Sequence, residues 1–130
     1  MEWRMRAIRG ATTVPENTVK AMREAVMEIL DELEQRNRLH PTDIISVTFS
    51  VTSDLSATFP AAIARERPYW DNVPMLDVQQ MHVDGSLERC IRFLVHVYLP
   101  ASTPTQHIYL RHAKNLRPDW SLPQPLQPSR

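Results

Sequence analysis

The chain has 130 residues, with 15 lysines and arginines against 15 aspartates and glutamates, so its formal net charge is zero. A neutral chain offers no global field toward nucleic acid or an anionic membrane, so any charge-based function must be local. One cysteine, Cys90, excludes an internal disulfide and a cysteine-based zinc site, and two glycines, Gly10 and Gly85, cannot write a phosphate-cradling loop or a dinucleotide fingerprint.

This length suits one domain that buries roughly two thirds of the surface its unfolded chain exposes. The opening "MEWRMRAIRG" carries charges where a secretory signal needs an unbroken apolar core, and no apolar run reaches bilayer-spanning length. A reducing cytoplasm is the expected compartment. Residues 3–9, "WRMRAIR", alternate loosely and predict a first strand with a turn after Gly10. From Asn17 as N-cap, Val19, Met22, Val26, Ile29, Leu30 and Leu33 recur at helical spacing, predicting an amphipathic helix that ends near Asn37, before Pro41.

"DIISVTFSVT" predicts a half-buried strand with Ile45, Val47, Phe49 and Val51 on one face. "FPAAIARER" opens a short helix at Pro60, and "VPMLDVQQM" predicts a third strand after Pro74. A fourth strand starts at about Cys90. It places Ile91, Phe93, Val95, Val97 and Leu99 on one face and Cys90, Arg92, Leu94, His96 and Tyr98 on the other. "QHIYL" is an edge strand, and the proline-rich stretch from Pro118 is an irregular tail, giving a single domain over 1–117 and a tail over 118–130.

The order β-α-β-α-β-β-β implies an α+β fold: a five-stranded mixed sheet, one long helix and one short one. Two helices cover five strands poorly, so partner subunits should close the remaining face or edges.

Several polar residues lack an evident structural reason. Arg92 interrupts an apolar strand, and its stem could cover apolar surface with its head in water, or its guanidinium could face an anion in a partly dry cleft. Arg9, Arg65 and Arg117 are surface charges or anion clamps. Asp77 and Gln80 interrupt a strand where aspartate is disfavoured. Tyr109 reads as an interfacial ring with its hydroxyl in water. Arg111 reads as a solvated charge and Trp120 as a packing residue. No nucleophile is paired with a base, so this set suits electrostatic recognition better than covalent chemistry.

Five spaced blocks then carry a resemblance: "IRGATTV" (8–14), "DLSATFPAAIAR" (54–65), "VP" with the strand to "QQM" (73–81), "DGSLERCIR" (84–92) and "HIYLRHAKNLRPD" (107–119). In order and spacing they resemble the α/β class of monofunctional chorismate mutases, distinct from the all-helical class. The resemblance implies a ferredoxin-like fold assembled as a trimeric pseudo-barrel and a homotrimer with active sites between subunits; no cofactor or metal is expected, and the neutral charge and lack of an apolar span argue against nucleic-acid and membrane partners. It also implies rearrangement of chorismate to prephenate on the way to phenylalanine and tyrosine.

By position, the resemblance puts Arg92 beside the breaking ether oxygen, and Arg9 and Tyr109 on a substrate carboxylate. Phe59, Ala61 and Leu76 become apolar wall, Arg65 and Arg117 entrance cations, and Leu116 a wall contact. The best-known version has glutamate at the position of Gln80 and cysteine at that of Asp77. Here the carboxylate is expected to have moved to Asp77, with Gln80 as a neutral contact. Three residues apart on an ideal strand they face opposite ways, so a bend or bulge is expected. Two alternatives compete: a trimeric enamine or imine deaminase of related architecture, and a non-catalytic ligand-binding or RNA-binding α+β module.

Overall fold

A computed structural model describes residues 2–121; residues 122–130 of the expected tail lie outside the described residues. The strands are β1 (Trp3–Thr13), β2 (Ile44–Val51), β3 (Met75–Gln79), β4 (Cys90–Pro100) and β5 (Ile108–Tyr109), and the helices α1 (Val19–Asn37), α2 (Pro60–Ala64) and α3 (Pro118–Ser121). They form one sheet in the order β3-β2-β4-β1-β5. β4 is antiparallel to both β1 and β2, whereas β2/β3 and β1/β5 are parallel, so the sheet is mixed as expected.

α1 forms because its apolar residues return every three or four positions. Met22, Val26, Ile29, Leu30 and Leu33 are fully buried against Ile8, Val47, Phe49, Phe93, Val95 and Val97 of the sheet. Each such side chain contributes about 1.5–3 kcal/mol relative to exposure, so this layer anchors the domain. The N-cap is Thr18, whose hydroxyl accepts from the Ala21 N–H at 3.1 Å, rather than Asn17. Asn17 instead ties the helix entry to the segment before α2, its Oδ1 accepting from the Ser56 and Ala57 N–H groups.

Three other expectations are corrected. Gly10 lies inside β1, not at a turn: a Cβ there would sit 2.3 Å from the Phe93 ring and 2.9 Å from the Ile108 carbonyl oxygen, so the residue is small because its neighbours are close. A register shift between Ile44 and Ser46 buries Ile44 and turns Ile45 outward, although Val47 and Phe49 point inward as expected. The chain after Pro118 begins with a helical turn that packs on the domain, rather than as irregular chain.

Ile91, Phe93, Val95, Val97 and Leu99 of β4 are all buried against the helix layer. Among the described residues, the opposite sheet face is covered only at one end, where Leu116 and Trp120 pack over Ala11, Cys90 and Tyr109. Trp3, Met5, Leu76, Leu94 and Tyr98 are exposed on it, well beyond scattered single apolar residues. No helix among the described residues is long and apolar enough to cross a membrane.

Candidate active site

Strand register assembles the site on that open face. Val78, Ser50, Arg92, Ala11 and Tyr109 form one row across all five strands, and Leu76, Thr48, Leu94 and Arg9 form the next. Antiparallel partners share a face, so Arg92 and Arg9 point the same way from neighbouring strands.

At the end of β4 lies a cavity of about 780 Å³ lined by Thr13, Glu88, Arg89, Arg92, Arg111 and Leu116, among others. Its three arginines differ in their commitments. Arg89 donates from Nε to the Val14 carbonyl at 2.9 Å, and Arg111 donates to Glu28 at 3.0 Å and to the Thr13 carbonyl at 2.9 Å. Arg111 is therefore a structural clasp, not the solvated charge expected of it. The Arg92 side chain bonds to no oxygen or nitrogen of another described residue, its Nε is buried without a partner, and its guanidinium lies within hydrogen-bonding reach of the Cys90 sulfur. A buried charged donor left unpaired is costly, and none of the described residues supplies an oxygen for this one.

The strand start carrying Arg92 is firmly held. Arg89 adopts a left-handed backbone (φ 43°), which a side chain makes costly, and its N–H donates to both oxygens of Asp54. Burial raises the Asp54 carboxyl, but bonds from the Thr52 hydroxyl and the Arg89 N–H outweigh it and hold the group below its ordinary value. The Thr52 hydroxyl also accepts from the Cys90 N–H at 2.9 Å. Beside Arg92 stands the Cys90 thiol, pushed up by burial against the opposing pull of the Arg92 charge.

A second group surrounds Arg9. Its N–H donates to His107 Nδ1 at 2.9 Å, and its guanidinium lies 5.7 Å from the Trp120 ring. Arg117 stacks on the same indole at 3.3 Å, and Tyr109, 3% exposed, packs against it at 5.8 Å between ring centres. Leu116 and Trp120 pack with Cys90, Ala11 and Tyr109, so this group adjoins the Arg92 cavity through one small cluster.

The remaining candidates sit at the far edge of the sheet. Asp77 is paired with Phe49 and therefore points toward the helix layer, away from the Arg92 face. Its Oδ1 accepts from the Ala61 N–H at 3.0 Å, and burial pushes the carboxyl up, against the Ala61 bond and the Arg65 charge. Phe59, at the N-cap of α2, and Leu76 stand in solvent, 68% and 61% exposed, while Ala61 is buried. Gln80 follows β3 directly, its N–H bonded to the Val51 carbonyl, and its Oε1, like Arg92 Nε, is one of five buried side-chain polar atoms without a partner among the described residues. The expected bend or bulge is not present: β3 pairs with β2 in unbroken register from Met75 to Gln79.

A single subunit thus joins Arg92 and Leu116 in a cavity, sets Arg9, Tyr109 and Arg117 beside it, and leaves Phe59, Ala61, Arg65, Leu76 and Asp77 on another edge. Sequence reasoning took Trp120 as a packing residue and Cys90 as a lone thiol, and did not place them or His107 at the site; the block "HIYLRHAKNLRPD" with the tryptophan that follows it was the available signal.

Fold and cavity define a small α+β protein with a buried, unpaired guanidinium nitrogen at a cavity beside its open sheet face. The family model for chorismate mutase type I matches residues 5–120, and the chain belongs to that family. Chorismate mutase AroH of Bacillus subtilis is 37% identical over 119 residues, spanning 91% of this chain and 94% of the relative. Chorismate mutase AroH of Thermus thermophilus is 40% identical over 119 residues, spanning 88% and 95%. A solved chorismate mutase from Clostridium thermocellum superposes with a TM-score of 0.78 at 40% identity, covering 85% of this chain and 98% of that one. The protein is a chorismate mutase, an isomerase that acts on chorismate.

Proposed function

We propose that the enzyme works as a homotrimer whose active sites lie between subunits, with Arg92 as the principal catalytic group. The reaction is a [3,3] rearrangement within one molecule: an ether C–O bond breaks as a C–C bond forms, and no proton or covalent intermediate is needed. Two tasks remain for the protein. It must hold the enolpyruvyl arm over the ring, and it must stabilise the negative charge that grows on the ether oxygen. A cation fixed before the substrate arrives favours that polarised transition state over the bound ground state.

The observation that carries this reading is the unpaired, buried Nε of Arg92 in a cavity whose other arginines are committed elsewhere. Arg9 and Tyr109 then bind the side-chain carboxylate, with Arg117 at the entrance and Leu116 as wall. The neighbouring subunit contributes its α2–β3 edge. Phe59, Ala61 and Leu76 form the apolar wall there, Arg65 adds a cation, and Asp77 accepts the ring hydroxyl through the oxygen not bonded to Ala61. Gln80 keeps a neutral contact beside Arg92. The exposed apolar sheet face supports the assembly, since trimer formation would cover Leu76, Leu94 and Tyr98. One buried thiol suits a reducing cytoplasm.

Subunit mixing tests the shared site. Arg92→Gln and Asp77→Asn chains are each nearly inactive alone, and co-expressed they form hybrid trimers. Each interface then has an even chance of an intact Arg92 side and an even chance of an intact Asp77 side, so about a quarter of wild-type activity returns. No recovery above the separate variants, or light scattering that shows a monomer at micromolar concentration, overturns the proposal.

A further inference from the structure

We infer that Trp120 is a positioning residue for the reaction: its indole restrains the guanidinium groups of Arg9 and Arg117 while leaving the Arg9 donors and Nη1 of Arg117 available. The inference rests on the reading of those two arginines given above.

α3 has four residues, too few to persist as an isolated helix. Its docking relies on the indole. The His107 ring lies 3.8 Å from it at 31°, and Tyr109 lies 5.8 Å away at 56°. Both come from the β5 segment, so one aromatic side chain fixes the turn to the sheet edge that carries the carboxylate-directed residues.

The same ring meets two cations, with Arg117 at 3.3 Å and Arg9 at 5.7 Å, both within the roughly 6 Å over which a ring quadrupole attracts a guanidinium. A ring face attracts a guanidinium without taking its N–H donors, and Arg9 has no carboxylate partner among the described residues. Asp119 takes Nε and Nη2 of Arg117, at 3.1 and 2.8 Å, while Nη1 has no partner among the described residues. The Arg9 guanidinium likewise bonds to no described residue, although its backbone is fixed by His107 Nδ1. That acceptor role requires an unprotonated Nδ1, in keeping with the downward push on His107 from burial and from the Arg9 and Arg117 charges. The cluster therefore presents one restrained cation without a carboxylate partner, Arg9, and a second, Arg117, that Asp119 already pairs.

Steady-state kinetics on four Trp120 and arginine variants of the full chain separate the possibilities. Trp120→Leu fills space but offers no ring face. It should raise KM for chorismate about tenfold, with kcat changed by less than about twofold. Trp120→Phe keeps a face and should stay within about threefold of wild type. A purely structural role predicts that leucine and phenylalanine behave alike, and that result overturns the inference. Arg9→Gln and Arg117→Gln serve as the control for the underlying reading. If they raise KM while Trp120→Leu does not, the inference about Trp120 fails alone; if they too leave KM unchanged, the carboxylate-binding assignment fails and takes the inference with it. A readout without substitution is also available. Nuclear Overhauser contacts from the Trp120 ring protons to His107 and to the Arg117 side chain are expected in the unmodified enzyme, and their absence contradicts the geometry.

Discussion

Gly10→Ala is a demanding test of how the fold places the site. The new Cβ would lie 2.3 and 2.5 Å from two carbons of the Phe93 ring, and 2.9 Å from the Ile108 carbonyl oxygen. Carbon contacts become favourable only near 3.5–4.0 Å, so the ring must retreat by about 1 Å. It has little freedom to do so. Phe93 is 4% exposed, and Phe49 braces it edge-on at 6.5 Å. The Ile108 oxygen is backbone of β5, which Gly10 itself pairs with, so the alternative is to lever β5 away from β1. Overpacking of this kind costs about 1–3 kcal/mol, and two simultaneous clashes place it toward the upper end. At this chain length that lowers Tm by about 10 °C. Thermal unfolding should be followed by circular dichroism at one fixed protein concentration, since assembly contributes to Tm. Movement of β5 also displaces Tyr109 and His107, so KM for chorismate should rise. In a Phe93→Leu background the same alanine should cost about 1 kcal/mol less, because the clash is relieved. A Tm within about 2 °C of wild type would refute the packing argument.

Asp77→Asn should lose most activity yet not lower Tm at pH 7, because an amide oxygen still accepts from Ala61 while the desolvated charge is gone. The sign follows from the raised carboxyl. Its ionised form destabilises the fold above the folded-state pKa, and that penalty disappears as pH falls below the ordinary aspartate value of about 3.9. In wild type, kcat/KM should therefore decline on the acid side at a pH above that value. Gln80→Glu should retain activity, read in the same chorismate-absorbance assay, since glutamate can keep the contact beside Arg92. His107 has the opposite linkage to a stabilised imidazolium. With its pKa lowered on folding, the unfolded chain takes up a proton first, so stability is lost as pH drops below about 6.5 until the folded-state ring protonates. His107→Gln should flatten that loss in urea titrations between pH 7 and 5; an unchanged slope contradicts a buried neutral ring.

Much of the architecture was legible because apolar periodicity decides which face is buried. β4 alternates cleanly, and α1 follows the helical period through five fully buried residues. What was misread depends on distant neighbours. Gly10 signalled a turn by its type, yet it is small because of Phe93 and Ile108, far along the chain. Ile45 pointed the wrong way because a register shift against β4 is invisible in one strand alone. At the site, the oddity of Arg92 was visible as a cation in an apolar run. That Arg89 and Arg111 are tied up by backbone carbonyls while Arg92 is not required the fold. The separation of Asp77 from Arg92 likewise came from strand pairing, and it turns an expected bulge into a proposed contact between subunits.

Replacement of Arg92 by citrulline, nearly isosteric but uncharged, followed by single-variant kinetics on chorismate, tests the central claim most directly. Loss of a preorganised cation at the breaking ether oxygen should lower kcat by about a thousandfold to ten-thousandfold, equivalent to about 4–6 kcal/mol, with KM changed far less. Turnover within about tenfold of wild type would contradict the claim that this guanidinium stabilises the transition state.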